Sequence, residues 1–195
     1  VVSLVGAATP QNSLEGALRL VDAVKQKNEA AVDTLLGRGG DVNEPQADGA
    51  TALHWAAYWD DVATLDRLIA AGADANAAND LKVTPLALAA ANGSATIVER
   101  LLQAGADPDA AGETGVTPLM EAARTGSIDA ARVLLDFDAD VDARTDDRQQ
   151  TALMWAVVQE QPDVVGLLLE YSANPHARTR TRRDLAMLNK VPSGT

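Results

Sequence analysis

A seven-residue string recurs along this chain at a nearly constant spacing, and that recurrence limits the fold more than any other feature. Thr51-Ala52-Leu53-His54-Trp55-Ala56-Ala57 returns as Thr84-Pro85-Leu86-Ala87-Leu88-Ala89-Ala90, then as Thr117-Pro118-Leu119-Met120-Glu121-Ala122-Ala123, then as Thr151-Ala152-Leu153-Met154-Trp155-Ala156-Val157. The steps are 33, 33 and 34 residues. A second signal keeps the same register: Gly39-Gly40-Asp41, Gly72-Ala73-Asp74, Gly105-Ala106-Asp107, Asp138-Ala139-Asp140 and Ser172-Ala173-Asn174. Such a period means stacked supersecondary units, each unable to bury its own apolar face. The first loop signal has no Thr-Pro-Leu ahead of it. Leu18 to Val24 stands in that register, with Leu20 at the leucine position and Ala23 at the first alanine, as in a degenerate N-terminal cap.

Thr-Pro-Leu followed by Gly-Ala-Asp at a period of 33 resembles the ankyrin repeat family. The resemblance runs from about Leu14 to Arg178. It departs at three positions: His54 is the only histidine at its place in the motif, and Asp138 and Ser172 replace the usual loop glycine. It implies an all-α solenoid of about five stacked helix-turn-helix repeats with projecting hairpin loops. The expected divisions are an apolar arm over residues 1–13, repeats over about 14–46, 47–79, 80–112, 113–145 and 146–178, and a basic tail or incomplete sixth repeat over 179–195.

The residue chemistry agrees. Paired alanines let neighbouring helices approach closely. Second helices carry an apolar stripe at helical spacing: Val32, Leu35 and Leu36, then Leu65, Leu68 and Ile69, then Val98, Leu101 and Leu102, then Val133, Leu134 and Leu135, then Val165, Leu168 and Leu169. Thr-Pro suits a helix start, because Thr can cap and Pro lacks an N–H where none is needed. Gly39, Gly72 and Gly105 follow second helices, where a left-handed cap favours glycine. The links at 41–50, 74–83, 107–116 and 140–150 are turn-rich, and the fourth holds one extra residue.

Charge and composition exclude several functions. The formal net charge is −12, which argues against general affinity for nucleic acid. Zero cysteines exclude a disulfide framework and the common zinc sites. No apolar run is long enough to span a membrane. No phosphate-binding loop, Gly-x-Ser-x-Gly elbow or His-Glu-x-x-His is present, so no enzyme, cofactor, metal or catalytic residue is expected. Asp138-Ala139-Asp140-Val141-Asp142 starts like a calcium loop, but Ala143 and Gln149 stand where glycine and glutamate are required. Asn92-Gly93-Ser94 fits a glycosylation pattern and equally the turn between paired helices. His54 holds the family's Thr-Pro-Leu-His position, which implies hydrogen bonds joining neighbouring repeats, while His176 reads as solvated.

The two ends differ. Val1 to Ala8 is apolar and resembles the end of a secretory signal peptide. That start favours a periplasmic or extracellular bacterial protein, with the cytoplasm as the alternative. An ordered arm on the first repeat or on a neighbouring molecule is the other reading. Residues 178–195 carry five basic residues against Asp184 alone, a net +4, which leaves −16 on the remainder. Arg178, Arg180, Arg182 and Arg183 form a candidate self-assembly tail. Leu185, Met187 and Leu188 suit the first helix of a further repeat, although Thr-Pro-Leu is absent.

Only six residues are aromatic, so their placement is informative. Trp55 and Trp155 share one repeat position and are expected in the core. The two positions after the paired alanines contact partners in the family, on the concave side. Here they include Tyr58 and Trp59, flanked by Asn92, Arg124, Thr125 and Gln159. Asp48, Leu81, Thr114 and Arg148 are the expected loop-tip rim. The implied function is a rigid protein-binding face whose partner carries a basic patch. The alternative is a structural protein assembling head-to-tail through its irregular ends into oligomers or filaments.

Overall fold

The computed structural model describes residues 19–180. The apolar arm at residues 1–13, and Arg182 and Arg183 of the basic tail, lie outside the described residues. Within them the chain forms ten helices and no strand. They are α1 (Leu20–Lys25), α2 (Glu29–Gly37), α3 (Ala52–Tyr58), α4 (Val62–Ala70), α5 (Pro85–Asn92), α6 (Ala95–Gln103), α7 (Pro118–Thr125), α8 (Ile128–Asp136), α9 (Ala152–Val158) and α10 (Pro162–Glu170). Each odd-numbered helix packs on the next odd-numbered one, and each pairs with the even-numbered helix that follows it. Five helix pairs therefore stack as one all-α solenoid.

The first helices pack closely because of their alanines. Ala56, Ala57, Ala89, Ala90, Ala122 and Ala123 have no exposed surface. A methyl group at the contact shortens the distance between helix axes. Thr84, Thr117 and Thr151 start these helices, each hydroxyl accepting from the backbone N–H three residues on, at 3.2 to 3.4 Å. Pro85 and Pro118 occupy the first helical turn, where the missing N–H costs nothing. The second helices supply the larger side chains: Leu65, Leu68, Ile97, Leu101, Leu134, Leu167 and Leu168 are essentially inaccessible.

The apolar stripe differs from the sequence reading in the last two pairs. In α8 Ala131 is buried and Val133 half-buried, and in α10 Val164 is buried and Val165 half-buried. The first correction restores the register, since Ala131 lies 33 residues after Val98, whereas Val165 does stand in register, 34 residues after Ala131. Leu169 is 46% exposed on the last described helix pair.

Every repeat turns through left-handed backbone at matching positions. Lys27, Asp60, Gly93, Gly126 and Glu160 link the two helices of each pair with φ between 55 and 75°. Gly39, Gly72, Gly105, Asp138 and Ser172 end the second helices with φ between 64 and 90°. Asp138 and Ser172 thus keep the backbone shape that glycine would take more easily.

The loops are also stitched in series. The N–H of Asp80 donates to the Asp48 carbonyl (3.0 Å), that of Glu113 to Leu81 (3.3 Å), that of Asp146 to Thr114 (3.1 Å) and that of Arg180 to Arg148 (2.8 Å). Three loops close by an i to i+3 bond at the tip, from Gly49 to Gln46, Lys82 to Asn79 and Gly115 to Gly112. The fourth closes from Gln149 to Thr145, one residue wider. The extra residue behind the 34-residue step therefore sits in the tip, where it disturbs no packing.

Candidate functional site

Three aromatic side chains gather at the C-terminal end of α3. Trp55, Tyr58 and Trp59 stand at i, i+3 and i+4, so one helical face carries all three. The Trp55 and Tyr58 rings meet edge-to-face at 5.8 Å, and those of Tyr58 and Trp59 at 4.8 Å. The preceding repeat supplies two cations: Lys25 Nζ lies 4.6 Å from the Trp55 ring centre, and Lys27 Nζ lies 4.1 Å from that of Trp59. Tyr58 is 48% and Trp59 38% exposed. In an otherwise aromatic-poor chain, they form a rigid amphipathic patch.

Trp55 and Trp155 are half-buried and pack against the core. The indole N–H of Trp55 needs an acceptor, and it reaches Gln46 Oε1 at 3.1 Å in the first loop. A groove of about 330 Å³ opens beside Trp55 and Tyr58, edged by Asp48, Asn79 and Leu88. The register places Lys25 in the same row of positions as Tyr58, whereas Trp55 and Lys27 were not expected in the patch. The helical spacing of the two tryptophans around Tyr58 was the signal available.

The flanking candidates divide into two kinds. Asn92 Nδ2 donates to the carbonyls of Ala57 (3.2 Å) and Tyr58 (2.9 Å), so it holds the end of α3 on the next repeat. The Thr125 hydroxyl is engaged with the carbonyls of Glu121 and Ala122 and with Ser127 Oγ. Arg124 is exposed and forks onto the Glu121 carboxylate at 2.7 and 2.9 Å. Gln159 is exposed at the end of α9.

At the loop tips, Asp48, Leu81, Thr114 and Arg148 all present exposed side chains. Their carbonyls are the acceptors that tie each tip to its neighbour. The side chains therefore project from a fixed backbone rail. Arg178 and Arg180 continue that rail: the Arg178 carbonyl accepts from Arg144 Nη1 (3.4 Å), and Arg180 is bonded to Arg148 through its backbone.

His54 is a structural link. Its Nδ1 faces two donors, the N–H and the hydroxyl of Thr51, at 3.1 and 2.9 Å. Nε2 therefore carries the proton and donates to the Val83 carbonyl at 3.0 Å, across to the next repeat. Burial pushes the imidazole pKa below its usual value, while the Val83 bond and the Asp48 charge oppose that shift. His176 is exposed, and its N–H donates to Asn174 Oδ1 (2.9 Å).

The acidic loop residues form a second ladder. Asp41, Asp74, Asp107 and Asp140 each accept from the N–H two residues on, at 2.9 to 3.0 Å. Asn43, Asn76, Asp109 and Asp142 each accept from the following repeat, at 2.8 to 2.9 Å. Of the carboxylates in the calcium-like stretch, those of Asp140 and Asp142 thus hold backbone N–H groups. Among the described residues, no group of histidines and carboxylates is arranged to hold a metal ion, and no helix is long and apolar enough to cross a membrane.

A family model described as ankyrin repeats (3 copies) matches residues 20–112 and again residues 88–179. The chain belongs to the ankyrin repeat family. No curated protein matches it. Ankyrin repeats generally serve as protein–protein interaction modules. In this ankyrin array, the patch around Tyr58 lies where two adjacent helix pairs and their loops are mutually fixed.

Proposed function

We propose that this ankyrin array binds a protein partner through the Trp55, Tyr58 and Trp59 patch, with Arg124 and Gln159 farther along the same concave row. Asn92 and Thr125 keep that row in shape. Asp48, Leu81, Thr114 and Arg148 form the rim. The observation that carries the reading is the partly exposed aromatic cluster on a helix end held by the next repeat. Tyrosine and tryptophan on rigid backbone bury much area at little entropic expense, which is the composition of an interface hot spot.

The acidic body favours a partner with a basic patch, and the association weakens as salt rises. The test is Trp59→Ala. Binding of a partner captured by the wild-type chain should weaken more than tenfold, while the thermal midpoint stays nearly unchanged. Retained binding, or a large loss of stability, would return Trp59 to a purely structural role.

A further inference from the structure

Two grooves follow one another between the first helices and the loops, one repeat apart. The first, of about 330 Å³, lies between Trp55 and Tyr58 of α3 and Leu88 of α5, with Asp48 on the loop side. The second, of about 410 Å³, lies between Leu88 and Ala91 of α5 and Glu121 of α7, with Leu81 and Glu113 on the loop side. The walls correspond by register: Trp55, Tyr58 and Leu88 become Leu88, Ala91 and Glu121 after 33 residues. Leu88 belongs to both grooves, so they form one continuous furrow.

The furrow is selective in charge. Among the described residues, the only charged side chains that line it are Asp48, Glu113 and Glu121. Arg124 already forks onto Glu121 at 2.7 and 2.9 Å, which leaves the exposed Asp48 and Glu113 to meet an incoming charge. His54 lines the first groove as a neutral ring, its proton committed to the Val83 carbonyl. Lys25 and Lys27 come from the preceding repeat and line neither groove. Apolar walls with a carboxylate at the loop side suit a cation on an apolar stem. Beside Trp55 and Tyr58 that cation is best an arginine, whose planar group stacks on aromatic rings and forks onto a carboxylate.

Spacing selects the backbone that presents two such cations. Packed helices stand about 8–10 Å apart, so equivalent points in the two grooves are separated by about that distance. A polyproline II chain has three residues per turn and rises about 3.1 Å per residue, so residues i and i+3 share a side about 9 Å apart. Same-side residues of a β-strand fall about 7 or 13 Å apart and miss the second groove. The polyproline form also has little conformational entropy to lose on docking against an aromatic wall.

We propose that the furrow takes a polyproline II segment of the partner protein, with an arginine in the first groove and a second basic residue, three positions on, in the second. The arginine stacks on Trp55 and Tyr58 and pairs with Asp48. The second cation pairs with Glu113, its stem lying against Leu81 and Leu88. This inference rests on the reading of the aromatic patch as a protein-binding surface, and it specifies the segment bound there.

Fluorescence polarisation of the full chain with labelled peptides tests it. A peptide built on Arg-Pro-Pro-Arg should bind at least about tenfold more tightly than Gln-Pro-Pro-Gln, and about threefold more tightly than Arg-Pro-Arg. Asp48→Asn and Glu113→Gln should each weaken the Arg-Pro-Pro-Arg peptide about fivefold and leave Gln-Pro-Pro-Gln unchanged. Asparagine keeps the acceptor that Asp48 offers to the Ala50 N–H, and circular dichroism monitors the fold. Asp129→Asn makes the same charge change in the first turn of α8 and should have no effect. Equal affinity for the arginine and glutamine peptides overturns the proposal, and so does equal affinity for the two arginine spacings. An equal loss in Asp129→Asn also overturns it, because the attraction is then a general property of the acidic body. A captured partner that Trp59→Ala releases, but that Asp48→Asn and Glu113→Gln leave bound, overturns this inference while sustaining the patch itself.

Discussion

His54 donates from Nε2 to the carbonyl of Val83, 3.0 Å away and 29 residues on, so one neutral imidazole caps its own helix and bonds the next repeat. Burial lowers its pKa in the folded chain. The unfolded chain therefore takes up the proton first, near the ordinary value of about 6.5. The stability His54 supplies is complete above that value and is lost as pH falls through the lowered folded value. Urea midpoints between pH 7.5 and 5 should fall for the wild-type chain. His54→Ala should be less stable at pH 7.5, by about 2 kcal/mol, and flatter across the same interval. An unchanged slope would remove His54 as the titrating group.

Asp109 should be improved by a single atom change. Asn43 and Asn76 use both ends of their amides, accepting from the next repeat while Nδ2 donates to the carbonyls of Gly72 (3.2 Å) and Gly105 (2.8 Å). Asp109 keeps the acceptor but lacks the donor. Burial holds its carboxyl above the ordinary value, helped by the charges of Asp140 and Asp107 and opposed by the Asp140 N–H. Ionisation of this group therefore weakens the fold as pH rises through the folded value. Asp109→Asn should stabilise by about 1 kcal/mol at pH 7, and by less near pH 3.5. Denaturant midpoints at the two pH values check both statements.

Two glycines with similar backbone should respond differently to alanine. Gly72 has φ +89° and open space where a Cβ would stand. Gly115 has φ +76°, and its Cβ would lie 2.8 Å from the backbone nitrogen of Asp146, the donor that ties two loops together. Gly72→Ala should cost about 1 kcal/mol from left-handed strain alone. Gly115→Ala should cost about 2 kcal/mol or more, because the neighbouring loop must move. Comparable costs in thermal unfolding would mean the loop rail contributes little.

Trp55 and Trp59 should separate stability from recognition. Trp55 packs against the core and is hydrogen-bonded to Gln46, whereas Trp59 lies at the helix end under Lys27. Trp55→Ala should lower stability by about 3 kcal/mol. Trp59→Ala should leave the thermal midpoint within a degree or two and act on partner binding. If both variants lose stability equally, the aromatic patch is one structural unit.

The repeat made the architecture legible. A 33-residue register leaves little freedom: once Thr84, Leu86 and Ala89 are placed on a helix, the same roles follow for Thr117, Leu119 and Ala122. The apolar stripe was read less well in α8, where Val133 was chosen over the small Ala131 that stands in register. The extra residue in the fourth loop was countable, but its place in the tip was not. Asn92 and Thr125 read as surface contacts because polar side chains at exposed helix ends look alike in sequence. Asn92 bonds carbonyls presented by the preceding repeat, and Thr125 bonds carbonyls of its own helix.

The sequence by itself determined the helix pairs, their number and their stacking order, because periodicity, caps and alanine pairs are local and repeat together. Only the tertiary structure decided which exposed residues are tied down and which project. It brought Lys25 and Lys27 onto the rings of the next repeat, joined His54 to Val83, and left Val157 and Leu169 exposed on the last described helix pair. Each of these relations links residues on different repeats or at the end of the stack. Their geometry is set by how one unit sits on the next, which no single period of the sequence contains.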